Sequence, residues 1–507
     1  MKTVFLLFDS LNRHMLGPYG GTEVPTPNFD RLAARSATFD QHYVGSMPCM
    51  PARRDILTGR MSFLHRSWGP IEPFDNTFTE MLAEQKGVYS HLATDHFHYW
   101  EDGGATYHNR YSGYDLVRGQ EGDRWTGVVD PDWDDLSQRF HQSQFATNRH
   151  YKLANMLNRE RIREEEDFPS AQTVECGLDF MRRNAQADDW FLQIECFDPH
   201  EPFQAPERFR AQFPTKWDGP ILDWPRYGRV DDLPEECDEL RANYYASMAH
   251  CDALLGRVLD HFDREGLWES TALVVTTDHG FLLGEHDFWG KNRMNLYNEI
   301  AQIPLFLHDP RSPRPGQRIR ALTQTPDLCA TFLDLHGGEQ APEMRSRSLI
   351  PMLDGAPGHE AVIYGFFGGA VNVTDGQYTY FRFPADVIRQ EIYQYTLMPT
   401  HIFDFFLGDE LRAATLSPPL SFTRGQPVLK VPVHEKSAMY KPYGPGAIIE
   451  SDTRLYDLRA DPQQAEPIRQ PQVEARMQAH MLDAMASLDA PPEAYRRLEL
   501  ADPVLAE

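Results

Sequence analysis

Positive charge is scarce in this chain. Lys and Arg total 49 against 75 Asp and Glu, a formal net charge of −26. A field of that sign repels phosphate backbones and anionic lipid, which argues against nucleic acid or a membrane surface as a partner. Cysteine is also scarce. Cys49, Cys176, Cys196, Cys237, Cys251 and Cys329 are irregularly spaced, with no Cys-x-x-Cys pair. Neither a disulfide framework nor a structural zinc site is expected, and all but Cys49 read as buried, reduced and inert. No apolar run approaches the roughly 18 residues of a membrane span. The opening run to Phe8 is short for a signal peptide and meets Asp9 at once, so the expected compartment is the cytoplasm. Internal repeats and low-complexity tracts are missing too.

What is present is ordinary globular composition, 41% apolar and 24% charged in 507 residues, enough for a large core. Apolar runs such as Thr3–Phe8, Trp190–Phe197 and Thr271–Thr277 alternate with helical patterns over the first 340 residues. Such alternation predicts an α/β fold, a large mostly parallel sheet sandwiched between helices. Ligands in such sheets bind beyond the carboxyl ends of the strands. Asp9, Asp198 and Asp278 follow these strands. Thr26 reads as a helix cap before Pro27, and a second helix is expected over Leu240–His261.

The division expected is a catalytic domain over 1–360 and a smaller C-terminal α+β domain over 361–507. Within the latter, Val362–Phe367 and Tyr378–Phe383 read as strands and Asp375-Gly376 as a turn. Residues 385–450 read as a long excursion without periodicity, and 467–500 as an amphipathic helical tail.

The most informative stretch is Cys49-Met50-Pro51-Ala52-Arg53, followed by Thr58-Gly59-Arg60. Pro51 suits a first helical turn and Gly59 a helix end, so Cys49 stands at a helix N-terminus, where an anion is favoured. Arg53 lies one turn on, on the same face.

With Phe197-Asp198-Pro199-His200, Thr277-Asp278-His279-Gly280, Gly284-Glu285-His286 through Lys291, and Leu455-Tyr456-Asp457-Leu458, this chain resembles the type I sulfatases of the alkaline phosphatase superfamily. The likeness lies near their arylsulfatase and phosphonate monoester hydrolase branch. The resemblance implies hydrolysis of sulfate monoesters, with Cys49 converted to formylglycine by a formylglycine-generating enzyme. It implies one divalent metal held by Asp9, Cys49, Asp278 and His279. Arg53, Lys291 and His200 would surround a small anionic ester, and His96 is a candidate base. A homo-oligomer, dimer or tetramer, is expected.

Two departures from the family pattern matter. Ser10 stands where a second Asp is usual, and His279 where Asn is usual, which brings Mn²⁺ level with Ca²⁺ as the expected metal. The Asp278-His279 pair also resembles phosphonate monoester hydrolases, so phosphonate or phosphodiester hydrolysis is the alternative. Thr94 stands where the arylsulfatases carry a substrate-binding Lys two residues before His96. His91 and His98 read as surface histidines. A two-metal phosphatase would want an Asp-x-x-x-His pair, which the chain lacks. A non-catalytic protein with an unmodified Cys49 is the competitor from another class.

Overall fold

A computed structural model describes residues 1–145 and 149–500. Its centre is a nine-stranded sheet. The first strand, Lys2–Phe8, lies between Trp190–Cys196 and Thr271–Thr277, parallel to both. Tyr89–Thr94 and Gly113–Leu116 continue the parallel set on one side. On the other, Leu305–His308 runs antiparallel between Thr271–Thr277 and Ala37–Tyr43.

Side chains of a strand alternate between faces. Val4, Leu6 and Phe8 accordingly enter one apolar core, and Phe5 and Leu7 the other. The first core is closed by the helices Pro27–Arg35, Pro169–Arg183 and Pro234–Glu265, the second by Cys49–Thr58, Phe78–Lys86 and Asp327–Leu335. Each fully buried Leu or Phe there contributes about 1.5–3 kcal/mol. Tyr244, Met248, Cys251, Leu255 and Val258 share the first core, as their spacing predicts, on a helix that is longer than expected at both ends. Thr26 does not cap its helix through its side chain: its Oγ1 accepts from the Gly17 amide at 2.9 Å instead.

A second, five-stranded sheet contains Val362–Phe366, Val371–Thr374, Tyr378–Arg382 and Arg454–Asp457. The strand Val371–Thr374 is missing from the sequence reading, and Asp375-Gly376 turns from it into Tyr378–Arg382. The fifth strand is Ser46–Met47, parallel to Val362–Phe366, so the small sheet borrows a strand from just ahead of Cys49. Met477, Met481 and Met485, four residues apart on the helix Pro471–Ser487, pack beneath this sheet. The excursion is ordered. Tyr393–Thr396, Val428–Pro432 and Thr415–Ser417 form a three-stranded antiparallel sheet, a pattern hidden by short strands between Pro and Gly. Among the described residues no helix is long and apolar enough to cross a membrane, and all six cysteines are free.

Candidate active site

Register places the site. Phe8 pairs with Cys196 on one side and Thr277 on the other. The next residues, Asp9, Phe197 and Asp278, therefore leave the sheet side by side. Ser10 takes a left-handed backbone (φ 62). Its amide donates to Asp278 Oδ1 at 3.0 Å and its hydroxyl to Asp9 Oδ1 at 2.8 Å.

The helix Cys49–Thr58 points its first residue into this group and ends at Gly59, whose φ of 62 suits the residue without a side-chain penalty. Cys49 is 2% exposed. Its Sγ lies 3.3 Å from His279 Nε2, 3.3 Å from Lys291 Nζ and 3.9 Å from Asp9 Oδ1. Burial, then the Asp9 charge, push the thiol well above its ordinary value. His279 Nδ1 contacts the Gly280 carbonyl at 3.0 Å; a proton there leaves the Nε2 lone pair facing Cys49. Asp9, Cys49, Asp278 and His279 each bring one ligand atom to within 4.8 Å of the others.

Arg53, expected both beside the anion and as the residue that orients Cys49, is buried with each of its guanidinium nitrogens bonded. Its Nε donates to Glu195 at 2.7 Å, its Nη1 to Asp278 Oδ2 at 2.7 Å and to the Cys49 carbonyl at 3.1 Å, and its Nη2 to Asp9 Oδ2 at 2.8 Å. Burial alone would raise the Asp9 carboxyl, but Arg53, with His200, Lys291 and His279, holds it well below its ordinary value. Lys291 is a second buried cation beside Cys49, 3.9 Å from Asp9 Oδ1. Gly290 (φ 115) turns the chain, and Lys291 Nζ reaches Ser10 Oγ at 3.0 Å.

His200 is buried, and its Nδ1 faces the Glu201 carbonyl at 2.6 Å. Phe197 lies between His96 and His200, with ring centroids 5.1 and 4.2 Å away. Burial, then Arg53, hold His96 well below its ordinary value. Its Nε2 contacts Met50 Sδ at 3.3 Å, and its Nδ1 has no partner among the described residues. Thr94 does not join the cluster, since its Oγ1 accepts from the His96 amide at 3.0 Å. His98 is not a surface histidine. It is buried, with Nδ1 2.6 Å from Glu101. His91 is half-buried against Asp115 at 3.0 Å.

Sequence reasoning missed Glu195 and Tyr99. Glu195 pairs with Arg53 and accepts from the Tyr99 hydroxyl at 3.0 Å. A signal existed: Glu195 is the lone charge in the apolar strand Trp190–Cys196, and a charge buried there needs a partner.

A mostly parallel sheet with acidic residues at its strand ends and a helix-start residue among them is the arrangement expected of the alkaline phosphatase superfamily. Residues 2–338 match the Sulfatase family, and residues 284–406 match N-sulphoglucosamine sulphohydrolase, C-terminal. The chain belongs to the sulfatase family, whose members hydrolyse sulfuric esters. It is 23% identical over 402 residues to N-acetylglucosamine-6-O-sulfatase of Bacteroides thetaiotaomicron, covering 69% of this chain and 70% of the relative. It is 25% identical over 373 residues to the multifunctional alkaline phosphatase superfamily protein PehA of Trinickia caryophylli, covering 66% and 72%. Among solved structures it resembles BT4656 in complex with its substrate D-glucosamine-2-N,6-O-disulfate, with TM-score 0.67, 15% identity and coverage of 97% and 99%. It also resembles the phosphonate monoester hydrolase of Agrobacterium radiobacter, with TM-score 0.63, 18% identity and coverage of 96% and 95%. At these identities the structural likeness establishes the fold.

Proposed function

We propose that this protein hydrolyses sulfate monoesters with a formylglycine formed from Cys49 and one divalent metal. The observation that carries the reading is the position of Cys49, at a helix start inside the Asp9, Asp278 and His279 donor set, with Lys291 3.3 Å away. The donor set fits a metal. Three buried carboxylates, Asp9, Asp278 and Glu195, meet two cations, Arg53 and Lys291, and a dication would turn the residual negative charge positive. Two carboxylates with one imidazole suit Mn²⁺ as well as Ca²⁺.

When present, the metal supplies Lewis acidity, and the aldehyde hydrate supplies one hydroxyl to attack sulfur and a second through which sulfate is expelled. The chain's own residues do the rest. Arg53 fixes Asp9 and Asp278, so the carboxylates do not reorganise during reaction. Lys291 offers a preorganised positive charge to the non-bridging or leaving oxygen. His200, with Nδ1 directed to a carbonyl, has Nε2 left to meet the leaving oxygen. His96, neutral and buried, is the base available for the expulsion step. Conversion of Cys49 requires a formylglycine-generating enzyme as partner.

Mass analysis of the tryptic peptide containing Cys49, alongside assays of aryl and alkyl sulfates on metal-defined enzyme, tests the reading. An unmodified thiol throughout an active preparation would overturn it. Phosphonate monoester hydrolysis is the second reading, favoured by His279 beside Asp278, with 3.2 Å between Nε2 and Oδ2. A kcat/KM higher for phenyl phosphonates than for aryl sulfates would establish it instead.

A further inference from the structure

Beside the Cys49 centre lies a second group of acidic and imidazole side chains, Glu121, His200 and Glu201, with ligand atoms within 4.8 Å of one another. Its two carboxylates share a pattern. Each is held on one oxygen by a tyrosine hydroxyl, Glu121 by Tyr151 and Glu201 by Tyr227. Each has its other oxygen, Oε2, buried without a hydrogen-bond partner among the described residues. Glu121 is 7% exposed and Glu201 4%.

Neighbouring side-chain nitrogens do not satisfy these oxygens; among the described residues the Glu201 carboxyl is met only by its own backbone amide and the Tyr227 hydroxyl. His98 Nε2 is 3.6 Å from Glu121 Oε2, beyond hydrogen-bond reach, and its Nδ1 is held by Glu101. His200 Nδ1 is 3.3 Å from Glu201 Oε2 but closer, at 2.6 Å, to the Glu201 carbonyl. Lys152 makes no ion pair within 4 Å among the described residues, and its ammonium sits 5.1 Å above the Trp224 ring.

The group adjoins the reacting centre. Tyr227 and Tyr443 each interact electrostatically with both Cys49 and Glu201, and Lys291 with both Glu121 and Glu201. Two bare carboxylate oxygens beside a site built for an anion oppose a purely anionic substrate. They are explained if the other end of the substrate is positive. A primary ammonium brings three N–H donors, enough for both oxygens at once. Burial pushes the Glu121 carboxyl up to about 8, the direction expected of a cation site without its cation.

We propose that Glu121 and Glu201 form a cation subsite beside the Cys49 centre, and that the preferred substrates are sulfate esters of alcohols bearing a primary ammonium group. The proposal rests on the sulfate-ester reading for its reaction, but not for its binding.

The test is therefore calorimetric binding to the Cys49→Ala chain, in which turnover is expected to be lost. The probes are 2-aminoethyl and 3-aminopropyl sulfate, compared with propyl and butyl sulfate, in which a methyl replaces the ammonium. The ammonium esters should bind roughly 10- to 100-fold tighter, the range for hydrogen bonds to charged groups. Adding Glu121→Gln and Glu201→Gln should remove that preference. Equal binding of ammonium and methyl esters by the Cys49→Ala chain overturns the proposal, and this comparison needs no glutamate variant to fold. A second equivalent of divalent metal, bound by the parent chain and lost with Glu121→Gln and Glu201→Gln, also overturns it in favour of a metal site. A clear ammonium preference in binding, with no turnover of any sulfate ester by the Cys49-containing enzyme, would sustain the subsite and overturn the sulfate-ester reading alone.

Discussion

Ser10 bridges Lys291 to Asp9: the Lys291 ammonium donates to Ser10 Oγ at 3.0 Å, and that hydroxyl donates to Asp9 Oδ1 at 2.8 Å. The residue that departs from the family's usual Asp thus ties Lys291 to the first carboxylate of the site. Lys291→Ala should lower kcat/KM by roughly 10²–10³, the loss seen when one preorganised donor to transition-state charge is removed. The loss should grow as the leaving group worsens across a series of aryl sulfates. Ser10→Ala keeps the ammonium but frees it, so its defect should be smaller and should largely vanish in the Lys291→Ala background. Additive defects in that cycle would separate the two residues.

Arg53→Ala would leave Asp9, Asp278 and Glu195 buried without their common cation. Breaking one side of a buried pair costs about 3–5 kcal/mol, and here three carboxylates share the partner. Urea unfolding of the metal-free protein should show a loss of at least that size. Glu195→Gln should cost less than Arg53→Ala, since Arg53 keeps two carboxylates. A loss below 1 kcal/mol for Arg53→Ala would contradict the positioning role.

Cys49→Ala should abolish turnover with the fold intact by circular dichroism. Asp9→Asn should lower metal occupancy and rate together, measured by elemental analysis and kinetics on the same samples. One metal per wild-type chain is expected. Full occupancy in an inactive Asp9→Asn enzyme would remove Asp9 from the ligand set.

A pH effect should arise beside the site, behind His96 and Phe197. Burial, then the neighbouring Asp198, push the Asp95 carboxyl up to about 8 against hydrogen bonds from Ser170, Gln120 and the Phe197 amide. The folded protein therefore keeps a proton that the unfolded chain releases near pH 4. Its stabilising contribution is complete below about pH 4 and is lost as pH rises toward 8. Asp95→Asn should flatten that decline, so Tm should gain on wild type between pH 5 and pH 8.5. Parallel Tm curves over that range would show that Asp95 titrates normally.

Legibility followed the strength of local constraint. Strands such as Thr271–Thr277 are buried on both faces and stand out as unbroken apolar runs, and the helix at Cys49 is punctuated by Pro51 and Gly59. The placement of Asp9 and Asp278 just past such strands was readable, whereas their grouping with Cys49 and His279 came only from the family resemblance. Val371–Thr374 escaped because four residues in a hairpin carry little periodicity, and the excursion sheet escaped for the same reason. The role of Arg53 was only half readable: one helical turn from Cys49 gives its face, but three partners from three other strands are set by tertiary register. Glu121 could not be placed, since the segment after Gly113–Leu116 reaches His200 only through the fold.

The borrowed strand Ser46–Met47 sets an order of events at the ribosome. Its partner, Val362–Phe366, is translated about 315 residues later, which at roughly 5–20 residues per second takes tens of seconds. Until then the segment leading into Cys49 lacks its neighbour in the small sheet, and the helix Pro471–Ser487 that packs beneath that sheet is later still. A side chain that is 2% exposed in the finished protein thus has a period in the life of the chain before its surroundings are complete. Slowing synthesis between residues 50 and 362 lengthens that period without altering a single contact in the folded protein.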